Sequence, residues 1–75
     1  MSKFEELKIM NDTMIRYYEK LNISSERNQI IKKILDNENC FKELSHEDAI
    51  LILEDIGIEK SKIEGIYLEL IKETK

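Results

Sequence analysis

Apolar residues recur three and four positions apart along most of the chain. Phe4, Leu7, Met10, Met14, Tyr17 and Leu21 make the first such stripe, with Ile15 and Tyr18 widening it. That spacing repeats with the period of an α-helix and predicts one over about 3–21. Asp12 and Arg16 are placed for an ion pair one turn apart on its other side. Asn22-Ile23-Ser24-Ser25 interrupts the pattern. Either serine can cap a second helix, with Ile23 positioned to staple across the cap. This helix runs over about 25–36, burying Ile30, Ile31, Ile34 and Leu35 and leaving Arg27, Lys32 and Lys33 outside.

After the polar connector Asp36-Asn37-Glu38-Asn39, a short helical turn at Cys40 to Leu44 can send Phe41 and Leu44 inward. A third helix follows over about 45–56. Ser45 supplies its cap, Glu47 and Asp48 face the positive end of its dipole, and Gly57 with Ile58 ends it. Its apolar run, Ala49 to Leu53, covers more than one face, so neighbouring helices are expected to enclose it. The last helix, over about 61–73, starts at Ser61 as its cap. Ile63, Ile66, Tyr67, Leu70 and Ile71 form its stripe. Gly65 within it is expected to mark a close approach of the third helix. The fold expected is all-α: one domain over 1–75, a compact bundle of three to four short helices with helix 45–56 central.

Composition agrees with this pattern. The 75 residues include no proline and two glycines, so little interrupts long helices. Hydrophobic residues are 41% and charged residues 37%, too apolar for a disordered tail and too charged for a membrane protein. A core this small is marginal, which makes association with another chain a reasonable expectation. No apolar run approaches the roughly 18 residues of a membrane span. The first residues lack the apolar region of a signal peptide. One cysteine, Cys40, cannot form an internal disulfide. A cytoplasmic location is the default.

The residues offer little chemistry. His46 stands near the start of the third helix beside Glu47 and Asp48 without a nucleophile, and reads as a solvated residue. Cys40 has no cation nearby to stabilise a thiolate and reads as a structural, at least half-buried side chain. One histidine and one cysteine cannot build a zinc site, and neither a calcium-loop pattern nor a glycine-rich phosphate loop is present. An acidic helical chain of this size is similar to acyl carrier proteins in length and charge alone. Ile23-Ser24-Ser25-Glu26 lacks the Asp-Ser-Leu motif that carries their prosthetic arm. No catalytic residue, cofactor or metal is expected.

Charge points instead to a partner. The net charge is −4, and it is uneven: residues 1–37 carry a net +1 and residues 38–75 a net −5. Glu47, Asp48, Glu54, Asp55 and Glu59 gather around the third helix as a candidate surface for a protein with a basic face. A small non-catalytic interaction or regulatory protein, of the inhibitor, immunity or antitoxin-like kind, fits this description. Self-association as a homodimer through Phe4, Leu7, Met10, Met14 and Tyr17 is a linked expectation. The alternative is a transcriptional regulator. Residues 50–71 resemble a helix-turn-helix in apolar and turn spacing, with Ser61, Lys62 and Tyr67 on the DNA-reading helix. Two features oppose it: Leu53 stands where the motif favours a small residue, and carboxylates facing phosphates weaken binding. Nucleic acid is therefore the disfavoured partner, and no membrane is expected.

Overall fold

Ser2 opens the first element by accepting the Glu5 N–H at 3.1 Å on its hydroxyl. A computed structural model describes residues 2–73. They form α1 (Lys3–Lys20), α2 (Glu26–Asp36), α3 (Glu38–Glu43), α4 (His46–Ile56) and α5 (Lys60–Glu73), with no strand among the described residues. The all-α expectation holds, and the short turn after the connector is a helix in its own right. The radius of gyration, 12.0 Å, is close to the roughly 11 Å of a packed chain this long.

Local chemistry explains the boundaries. The α4 cap is the expected one: the Ser45 hydroxyl accepts from the Asp48 N–H at 3.2 Å. Two helices end in the same motif. At the end of α4, Gly57 adopts φ 103° while the N–H groups of Gly57 and Ile58 return to the carbonyls of Glu54 and Leu53. At the end of α1, Asn22 adopts φ 59° and the N–H groups of Asn22 and Ile23 return to Glu19 and Tyr18. Each closure satisfies two carbonyls that a helix end otherwise leaves open, and each needs a residue tolerant of the left-handed region. Ser61 does not cap α5. The helix begins at Lys60, placing Ser61 inside the first turn. Ser25 precedes α2 without a side-chain cap bond; the Ser24 hydroxyl accepts from the Glu26 N–H at 3.4 Å, and Ile23 beside it is 53% exposed.

The core gathers Phe4 and Leu7 from α1, Ile31 and Leu35 from α2 and Phe41 from α3. Ala49, Ile52, Leu53 and Ile56 join it from α4, and Ile63 and Leu70 from α5. Leu53, Leu35, Leu70 and Ala49 are each fully buried, so α4 is central on its inner side as expected. Phe4 and Phe41 meet edge-to-face with centroids 5.5 Å apart, which fastens α3 to the start of α1. Lys3 bridges Glu6 at 3.3 Å and Glu69 of α5 at 3.5 Å. The hydrogen bond and charge of Glu6, aided by Glu69, hold its ammonium above the usual lysine value.

Two packing expectations are corrected. The buried face of α1 runs through Phe4, Leu7, Asn11 and Ile15, so the stripe leaves the core after Leu7. Asn11 takes the place expected of Met10. Its amide donates to the Asn28 backbone carbonyl at 2.9 Å, and the Asn28 amide donates to the Asn11 side-chain oxygen at 2.8 Å. This buried pair joins α1 to α2, the most extensive helix–helix contact in the fold. Gly65 marks no close approach, because a Cβ built there meets nothing within 4 Å.

Candidate interaction face

Helical spacing builds an unusual surface on the outer side of α4. Leu51 is the one member of the apolar run that turns outward, 51% exposed, and the enclosure expected from sequence stops there. Its four neighbours one turn away are Glu47, Asp48, Glu54 and Asp55. Residues three and four apart share a helix face, so all four carboxylates surround one leucine. Asp55 is half-buried and pairs with Arg27 of α2 at 2.8 Å. Glu47, Asp48 and Glu54 are exposed and have no ion-pair partner among the described residues. Glu59 lies past the Gly57 turn, 4.0 Å from Lys62, apart from the ring.

Beside Leu51 a shallow groove of about 300 Å³ runs between α2 and α4, lined by Ile30, Ile34, Leu44 and Leu51, with Arg27 and Asp48. Ile30 was expected in the buried edge of α2 but is 53% exposed. The helix turns Ile31 and Leu35 inward instead, and Ile30 falls to the groove side. The acidic residues of this face are legible in the sequence; the exposure of Leu51 and Ile30 is not. An unbroken apolar run does not reveal which member the bundle leaves out.

The proposed self-association stripe divides. Phe4 and Leu7 are about 1% exposed and belong to the core, so a partner cannot reach them in the folded chain. Met10 and Tyr17 are exposed, and Met14 is half-buried with its sulfur near Gly57. Thr13, Arg16, Tyr17 and Lys20 line a notch of about 270 Å³ on this outer side of α1. Neither Arg16 nor Lys20 has an ion-pair partner among the described residues, and the expected Asp12–Arg16 pair does not form.

His46 is a cross-helix tie: its Nε2 lies 3.0 Å from Glu64, and its ring meets Tyr67 edge-on at 4.9 Å. Cys40 is exposed, not buried, because α3 turns Phe41 into the core and leaves its neighbour outside. Among the described residues no three His, Cys, Asp or Glu side chains are grouped to hold a metal ion. The helix-turn-helix candidates share no reading face. Ser61 and Lys62 are exposed at the start of α5, whereas Tyr67 is half-buried and packed on the core. Among the described residues no helix is long and apolar enough to cross a membrane. No protein-family model, curated protein or solved structure matches the chain.

Proposed function

We propose that this chain is a small non-catalytic interaction protein that docks a basic protein surface on the outer face of α4. The observation that supports the reading is the exposed Leu51 within its ring of Glu47, Asp48, Glu54 and Asp55. An apolar anchor excludes water at the centre of a contact, while surrounding carboxylates speed the encounter and reject acidic competitors. An inhibitor, immunity or antitoxin-like role suits such a face.

Affinity capture with the immobilised chain supplies the partner, and binding is then measured with purified components. Glu47→Lys with Asp48→Lys should slow association at least about tenfold, and added salt should weaken the wild-type complex. A partner that binds the reversed face equally well would remove the reading.

A helix-turn-helix function has less support. Its second helix stands in the half of the chain with net −5, next to the exposed carboxylates of α4. In a low-salt gel-shift titration the expected result is no shift at micromolar protein. A tight, salt-sensitive shift lost on Lys62→Glu would instead favour DNA.

A further inference from the structure

The acidic knob on α4 and the cationic notch on α1 are complementary, and both belong to this chain. We infer that the α4 face of one copy seats on the α1 face of a second copy, in a head-to-tail contact. The inference rests on α4 being a docking face and goes further by naming an occupant. Leu51 is the exposed member of the α4 apolar run and is bordered by carboxylates, three of them unpaired among the described residues. The notch on α1 is walled by Tyr17, 59% exposed, and flanked by Arg16 and Lys20, which are likewise unpaired. Met10 and Leu21 lie exposed along the same side and extend its apolar area. Seating Leu51 against Tyr17 places the cations beside the carboxylates and covers apolar groups on both copies.

The charge division favours this orientation over a symmetric one. A symmetric pairing of two α4 faces would set eight carboxylates against each other. A head-to-tail contact brings a half with net +1 toward a half with net −5. Such a contact uses different surfaces on the two copies, so it leaves one of each free and can propagate. The patches are small, which makes the association weak and salt-sensitive.

Sedimentation velocity of the full chain at low salt, over a concentration series reaching about 1 mM, tests this directly, because weak contacts have dissociation constants near that range. Wild type should show a weight-average mass that climbs with concentration and falls back when salt is added. Tyr17→Ala and Leu51→Ala each remove one side of the contact. Both positions are more than half exposed, so the helical circular dichroism spectrum should stay unchanged. Each variant alone should lose at least about tenfold in self-affinity. Mixed in equal amounts they should form a pair and stop there, since each retains one intact face. A strict monomer throughout the series would overturn the inference. So would association that survives either substitution, or failure of the mixture to recover the pair. The broader α4 reading fails separately: it falls only if an external partner also ignores Glu47→Lys with Asp48→Lys.

Discussion

Gly65 stands in the interior of α5, exposed, with open space where a side chain would go. Alanine there gives up the conformational freedom that glycine keeps in the unfolded chain. Gly65→Ala should therefore stabilise the fold by about 0.5–1 kcal/mol. In a domain of this size that raises the melting temperature by roughly 4–8 °C per kcal/mol, readable by circular dichroism. The other glycine has the opposite prediction. Gly57 holds φ 103°, and Gly57→Ala should cost about 1 kcal/mol or more. Sequence distinguished these two residues only in part. The turn at Gly57 was legible because Ile58 follows it and an apolar run precedes it. The role of Gly65 was misread because a lone helical glycine looks the same whether it faces a neighbour or solvent. Asn11 was hidden for a related reason. Its side chain is polar in the sequence and becomes a core residue only once Asn28 is opposite it. Asn11→Leu should destabilise by about 1–3 kcal/mol, because it strands the buried amide of Asn28. Replacing both asparagines with leucine should recover much of that loss. A chemical-denaturation double-mutant cycle measures the coupling.

At the scale of elements, α4 and α1 show how far periodicity reaches. The bounds of the four long helices were legible to within one or two residues from spacing, Ser45 and the Gly57 stop. The inward side of α4 was legible too, and Leu53→Asp puts an unpaired charge at a fully buried position. That change should unfold the domain, seen as loss of the cooperative thermal transition. The inward side of α1 was legible at Phe4, Leu7 and Ile15 but not at Asn11. Met10, Met14, Tyr17 and Leu21 satisfy helical spacing as well as the true core line does. Only the partner helices decide between the two. For α3 the apolar pair Phe41 and Leu44 gave the turn, but six residues hold no helix by themselves. The element depends on Phe41 against Phe4. Phe41→Ala should cost about 3–5 kcal/mol, and hydrogen exchange should accelerate in α3 ahead of the remaining helices.

Across the whole molecule, charge and apolar surface are distributed so that each limits the other. Ile9, Met10, Tyr17, Leu21, Ile23, Ile30, Leu51 and Leu68 are all exposed. The acidic half of the candidate site was legible in sequence because charges are counted without a fold. Its apolar half was not, because exposure is a property of the assembled bundle. The excess of carboxylates has a colloidal consequence. With an isoelectric point near 5.0, mild acid strips away the mutual repulsion that keeps the greasy exterior of one copy from that of the next. Turbidity should peak close to that pH and clear on either side of it, because there the net charge of the whole chain, and with it the repulsion between copies, passes through zero.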